Sequence, residues 1–213
     1  MDVLILNGSP RLKGNSAILS LLISDFFMVR KVTVSVLRLH EMKIKPCNDC
    51  RSCKSGQMRC IIDDDMNKIY RALEDAGAVI FVTPVYWFGP TSQTKLAIDR
   101  LRPYFMNCLL KGKAGSVLTV AGEGYRDSVH LFPVFRKIFK TLGMENRGMS
   151  ALKAYAEGEV KLNKSLNRIV SESCRKILDG SLAGNKKNQN NHYENFSDFY
   201  GGACNTGFGF MPE

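Results

Sequence analysis

No stretch of this sequence stays apolar for long enough to span a bilayer. The most apolar region after the N-terminus, residues 76–86, is about half the roughly 20 residues that a membrane-crossing helix needs. No secretory leader is expected either, because nothing here resembles one: Asp2 follows Met1 directly and the apolar run at 3–6 is short. A soluble, cytoplasmic protein with no membrane partner is therefore expected. Histidine is scarce: His40, His130 and His192 share no metal-ligating spacing and read as surface or packing residues. Acidic residues are outnumbered, with 20 Asp and Glu against 30 Lys and Arg, for a formal charge of +10. That excess favours anionic partners: a phosphorylated cofactor, an acidic electron-transfer protein or nucleic acid. Apart from short pairs such as Lys186-Lys187 the basic residues are scattered, in neither a stripe nor a nucleic-acid-binding motif. No nucleic-acid partner is expected.

Within those limits the chain has the makeup of one ordinary globular domain. Its 213 residues are 45% hydrophobic and 23% charged, enough to bury a core without disulfide staples. Continuous apolar runs at 3–6, 78–82 and 116–120 read as buried parallel strands, and the β-branched segment 32–37 as another. A weaker strand is expected at 148–154. Helical patterns fall at 15–27, at 64–75 behind an Asp cap, at 91–101 with Pro103 just past it, at 131–142 and at 162–178. Thr83-Pro84 is expected to end the third strand, and Asn15 or Ser16 to cap the first helix.

Strands alternating with helices imply an α/β fold: a doubly wound five-stranded parallel sheet, flavodoxin-like, in the order 2-1-3-4-5. It carries a cysteine-rich loop after strand 2 and a C-terminal extension. Residues 1–180 are expected to form this domain, including the loop 45–62. Composition changes after Gly180, and 181–213 reads either as a tail or as an arm packing its aromatics on a neighbouring subunit.

In this topology ligands bind at the carboxyl ends of the strands beside the point where strand order reverses. The first loop there is Asn7-Gly8-Ser9-Pro10-Arg11-Leu12-Lys13-Gly14-Asn15-Ser16. Free N–H groups at a helix N-terminus make an anion site, to which Ser9, Asn15 and Ser16 add donors and Arg11 adds charge. The loop is neither GxxxxGK[ST] nor GxGxxG, which argues against a nucleoside triphosphatase and the usual dinucleotide fingerprint. Across the switch point lies Thr83-Pro84-Val85-Tyr86-Trp87-Phe88-Gly89-Pro90, which can supply the flat apolar surface and backbone groups that a flavin ring requires, or can pack as a hydrophobic loop beneath a helix or at a subunit interface. A third loop at 121–125, containing Gly122, closes the remaining side.

The pattern Asn-Gly-Ser-Pro-Arg…Gly-Asn-Ser, the later Thr-Pro-Val-Tyr-Trp and Lys95…Ile98-Asp99-Arg100 resemble the NAD(P)H-dependent FMN reductase family of flavodoxin-like proteins, over residues 1–154. The resemblance implies that Ser9, Arg11, Asn15 and Ser16 meet the FMN phosphate. It further implies that Pro84, Val85, Tyr86, Trp87 and Phe88 meet the isoalloxazine ring, while 95–100 supports the site without touching it.

Seven cysteines are present, and Cys47-x2-Cys50-x2-Cys53-x6-Cys60 gathers four of them within fourteen residues. Such dense spacing suits a [4Fe–4S] cluster; a zinc site, which more often pairs separated Cys-x2-Cys units, and unligated redox thiols remain alternatives. Cys108 and Cys174 read as small apolar residues, and Cys204 as a small apolar residue or a free thiol of the tail. The run Asp63-Asp64-Asp65 reads as a helix cap. With Ile61-Ile62 and Met66 around it, the cysteine motif resembles the archaeal-type iron–sulfur flavoproteins. That likeness implies electrons accepted from a ferredoxin-like donor, and a homo-oligomer, dimer or tetramer. The expected function is a flavin-dependent oxidoreductase relaying electrons through the cluster to FMN and a small acceptor, with no catalytic side chain named. The competing readings are an NAD(P)H-dependent FMN or quinone reductase without a cluster, and a redox sensor.

Overall fold

The computed structural model describes residues 2–55 and 57–182. β1 (Val3–Asn7) is buried along its whole length between two parallel neighbours, β2 (Val34–Arg38) and β3 (Ala78–Tyr86). β3 also pairs in parallel with β5 (Ala114–Ala121), and β5 with β6 (Glu145–Lys153). The order β2-β1-β3-β5-β6 is the expected 2-1-3-4-5 of parallel strands. The extra number belongs to β4 (Gly89–Pro90), a two-residue strand antiparallel to the end of β3.

Successive side chains of a strand face opposite sides of the sheet. On one side Leu4, Leu6, Val79, Phe81 and Val117 pack with Ile69 and Leu73 of α2 (Met66–Asp75) and Phe135 and Phe139 of α6 (Leu131–Thr141). On the other, Val3, Ile5, Ile80, Val82 and Leu118 pack with Leu19, Ile23 and Phe27 of α1 (Asn15–Met28) and Val170, Cys174 and Ile177 of α7 (Leu166–Leu182). Two covered faces explain why the central strands read as unbroken apolar runs.

Several boundaries differ from expectation. Thr83-Pro84 does not end β3; Pro84 pairs opposite Val120 of β5, and the strand continues to Tyr86. Pro84 is tolerated because its missing N–H falls on the β1 side. There Val82 already accepts the Gly8 N–H at 2.9 Å, and β1 has ended. The helix expected at 91–101 is shorter, α3 (Ser92–Asp99), with Thr91 Oγ1 accepting the Thr94 N–H. Pro103 does not follow a helix but sits in the first turn of the next, α4 (Arg102–Asn107), where its lack of an N–H costs nothing. The cap of α1 is Gly14, with no side-chain cap bond, rather than Asn15 or Ser16. A short helix α5 (Tyr125–Ser128) precedes α6. The last helix begins at Leu166, not 162, and the exposed Leu162 belongs to a 3-10 turn before it. Among the described residues no helix is long and apolar enough to cross a membrane. Cys204 and the expected tail or arm lie outside the described residues beyond 182.

Candidate functional site

The carboxyl ends of β1, β3, β5 and β6 each deliver one loop to the same edge of the sheet. The first is shaped by Asn7, the buried last residue of β1. Its Nδ2 donates to the Ser16 carbonyl at 3.2 Å and to Ser20 Oγ at 2.9 Å, while its Oδ1 accepts the Ser9 N–H at 2.9 Å. Ser9 Oγ then accepts the Arg11 N–H at 3.2 Å, and the Arg11 carbonyl accepts the Gly14 N–H at 3.3 Å. Four amides point elsewhere: among the described residues, nothing accepts the N–H groups of Leu12, Lys13, Asn15 and Ser16. No acid stands in the first turn of α1, and the exposed Arg11 has no ion pair among the described residues. The result is a cluster of unspent donors at a positive helix end.

A buried threonine network ties this loop to the next. Thr91 Oγ1 donates to the Gly8 carbonyl at 2.7 Å and lies 3.0 Å from Thr94 Oγ1, which bonds Thr83 Oγ1 at 3.4 Å. A Cβ on Gly8 would stand 1.8 Å from Thr94 Oγ1, so only glycine lets the two loops meet here.

The second loop is a hairpin. Val85 pairs with Pro90 and Tyr86 with Gly89, leaving Trp87 and Phe88 as its two turn residues. Both take left-handed backbone, at φ 47° and 63°. Hairpins with two such residues usually place Asn or Gly there; bulky side chains cost about 1 kcal/mol each. The hairpin presents three aromatics outward: Tyr86 is 46% exposed, Phe88 57% and Trp87 95%. Phe88 meets the His130 ring edge-on, with centroids 5.8 Å apart. Pro84 and Val85 are half-buried, Val85 against the α2–α6 side of the core.

Gly122, after β5, lies 3.4 Å (as a virtual Cβ) from the ring of Tyr155, which follows β6 and is also outward-facing. Asn15 reaches this loop with its side chain, donating to the Ala156 carbonyl at 2.9 Å and accepting the Val160 N–H at 3.1 Å. It is thereby committed to the protein and offers a ligand only its backbone N–H; Ser16 has no partner for its hydroxyl or its amide among the described residues. Tyr155 is absent from the sequence reading, and Asn7 figures there only as the start of the first loop, without the role it plays. The signal for each was position, a polar residue closing a buried strand and an aromatic just past one.

The cysteines occupy the loop between β2 and α2. Cys47 and Cys50 are exposed, Cys53 is buried and Cys60 half-buried. Among the described residues no three His, Cys, Asp or Glu side chains are gathered to hold a single metal ion. Cys53 nonetheless lies within electrostatic reach of Cys47 and Cys60, and burial pushes its thiol pKa up. Hydrogen bonds from the Ser52 hydroxyl and amide pull that of Cys50 down. The 3-10 turn within the cysteine segment, Ser52–Lys54, packs on α4. Asp64, one residue before Asp65 at the N-cap of α2, accepts the Met66 N–H at 2.9 Å and pairs with Arg100 at 2.8 Å, both side chains being buried. Burial alone would raise the Asp64 carboxyl; the Arg100 guanidinium and the N–H groups of Lys45 and Met66 outweigh it and hold the group below the usual carboxylate range. Cys174 is buried in the core, which raises its thiol to about 12, whereas Cys108, half-buried at the end of α4, is disulfide-bonded and not the lone apolar residue expected.

Known proteins share this architecture. The chain is 35% identical over 159 residues to an iron–sulfur flavoprotein of Archaeoglobus fulgidus, covering 72% of this chain and 69% of that one. A Methanocaldococcus jannaschii iron–sulfur flavoprotein is 28% identical over 188 residues, 79% of this chain and 94% of its own. The solved NAD(P)H:quinone oxidoreductase of Methanothermobacter marburgensis superposes with a TM-score of 0.62 at 18% identity, over 89% of this chain and 99% of that one, a likeness of fold. Residues 1–153 match the family described as NADPH-dependent FMN reductase. The chain belongs to that family, and it is accordingly a flavin-dependent oxidoreductase with a flavodoxin-like fold.

Proposed function

We propose that the protein binds FMN at the carboxyl edge of β1 and β3 and passes electrons from a ferredoxin-like donor, through a [4Fe–4S] cluster on the cysteine loop, to the flavin and a small acceptor. The observation that carries the FMN reading is one juxtaposition: acceptor-free amides at the N-terminus of α1 beside a strained, outward-facing aromatic hairpin. The phosphate would take the N–H groups of Leu12, Lys13, Asn15 and Ser16, the hydroxyls of Ser9 and Ser16, and the charge of Arg11. The ring would lie against Pro84, Val85, Tyr86, Trp87 and Phe88, with Gly122 leaving room on the far side. Bound FMN supplies one- or two-electron transfer; the chain supplies position, electrostatics and shielding from water.

Cys47, Cys50, Cys53 and Cys60 are the proposed cluster ligands. Four thiols with no competing histidine suit iron–sulfur ligation, and a cubane holds its cysteines farther apart than one zinc ion does. The relatives named as iron–sulfur flavoproteins support the same assignment. Family membership supports a second reading, in which NAD(P)H reduces the flavin directly and the cysteines hold no cluster.

Anaerobically purified protein distinguishes the two. The relay reading expects flavin bands together with iron and sulfide near four of each per chain, removed by Cys50→Ser without loss of FMN. Flavin without iron, reduced rapidly and stoichiometrically by NAD(P)H alone, would establish the direct reductase.

A further inference from the structure

Arg100 stands in the turn between α3 and α4 and is 2% exposed. Its guanidinium reaches both ends of the cysteine loop. Nη1 donates to the Lys45 carbonyl and to Asp64 Oδ2, each at 2.8 Å. Nη2 donates to the Ile62 carbonyl at 3.3 Å and to Asp64 Oδ1 at 3.4 Å. Asp64 answers by accepting the Lys45 N–H at 2.9 Å. Lys45 and Ile62 bracket Cys47, Cys50, Cys53 and Cys60, so one side chain closes the neck of the loop that carries them all.

The geometry is specific to arginine. Lysine could neutralise Asp64, but its single nitrogen has no rigid fork with which to span two carbonyls and a carboxylate. Buried ion pairs often stabilise a fold less than apolar packing would, and here the Arg100 Nε is left buried without an acceptor. Stability alone is a weak account of the arrangement. A closed neck, by contrast, removes most of the end-to-end freedom of the loop before any ligand arrives. Tyr70 reinforces it, donating to the Arg100 carbonyl at 2.6 Å while its hydroxyl lies beside the Cys60 thiol.

We propose that Arg100 is a positioning residue: through the Lys45 and Ile62 carbonyls it holds the ends of the cysteine loop together and presets the spacing of the four thiols for their ligand. Its consequence for iron rests on the cluster reading above; the closure of the loop does not.

Arg100→Lys and Asp64→Asn in the full-length, FMN-loaded chain test this. Hydrogen exchange is read on iron-free protein, and iron and sulfide after anaerobic reconstitution. In Arg100→Lys the amides of 45–62 should exchange about 100-fold faster, while those of β1 and β3 keep their rates. FMN content should hold and iron per flavin should fall by half or more. Asp64→Asn leaves both carbonyl bonds of Arg100 in place and should quicken the loop by less than about tenfold. Unchanged loop exchange in Arg100→Lys would overturn the proposal. So would an Asp64→Asn loop as open as that of Arg100→Lys, because the ion pair and not the fork would then be closing it. Should Arg100→Lys fail to fold, Asp64→Asn decides alone, with a 100-fold opening as the refuting result. Wild-type protein that takes up no iron would sink the cluster reading while the exchange data still judge the clamp.

Discussion

Single residues at this site are constrained by close approach more than by chemistry. Gly8 is the sharpest case, since a methyl group there would collide with Thr94 Oγ1 and crowd Thr91 Oγ1. Those hydroxyls are buried and mutually bonded, so they cannot swing away without losing partners. Gly8→Ala should cost about 2–3 kcal/mol in urea unfolding and remove most bound FMN from the purified protein. Asp64 yields a pH prediction. Its folded pKa is lowered, so its stabilising contribution is fully present above the unfolded carboxyl value of about 4 and disappears as pH falls through the lower folded value. Unfolding followed from about pH 5 down to 2 should therefore show a shallower acid loss in Asp64→Asn than in wild type. An equally steep limb would mean that other carboxylates carry the acid sensitivity. Neither residue's role was readable beforehand. The partners of Gly8 are three threonines 75 or more positions away, which no local sequence pattern reveals. The run Asp63-Asp64-Asp65 reads as a helix cap, and Asp65 stands at the N-cap of α2, but nothing in the sequence pattern reveals the buried arginine paired with Asp64.

At the scale of elements, strands and helices were legible because burial writes a period into the sequence, whereas loops are set by partners that sequence alone does not reveal. The runs at 3–6, 78–82 and 116–120 are central strands as their composition required. Proline misled at Pro84, where the local rule for a strand breaker yields to the fact that β1 has already ended on that side. Asn15 was read as a phosphate donor or cap, yet its amide is taken by a loop more than 140 positions downstream. The hairpin at Tyr86–Gly89 was legible as aromatic but not as strained. Strain in a bulky, outward-facing turn suggests a function for which stability is sacrificed. Phe88→Gly should relieve the left-handed backbone and raise stability by about 1 kcal/mol, while weakening FMN about tenfold through loss of ring contact. Urea unfolding of the flavin-free chain and a fluorescence titration with FMN measure the two effects separately. Loss of stability together with unchanged affinity would remove this hairpin from the site.

For the whole molecule, a sheet covered on both faces leaves its carboxyl edge as the place where several loops converge, and any ligand seated there links them. Asn7 and Thr91 already join the first loop to α1 and α3, and Asn15 joins it to the loop after β6. FMN bound across these loops would stabilise the folded chain and not the unfolded one, by about 2.7 kcal/mol at 100 times its Kd. For a domain of this size that is a rise of about 5–10 °C in Tm. Riboflavin shares the ring but lacks the phosphate, so it separates the two halves of the site. If the phosphate sits among the amides of 12–16, riboflavin at the same concentration should raise Tm by much less than FMN does. Arg11→Met should then shrink the FMN shift and leave the small riboflavin shift unchanged, because Arg11 is exposed, unpaired among the described residues and remote from the core. Equal shifts from FMN and riboflavin would place the phosphate away from α1, and with it the anion site that the first loop encodes.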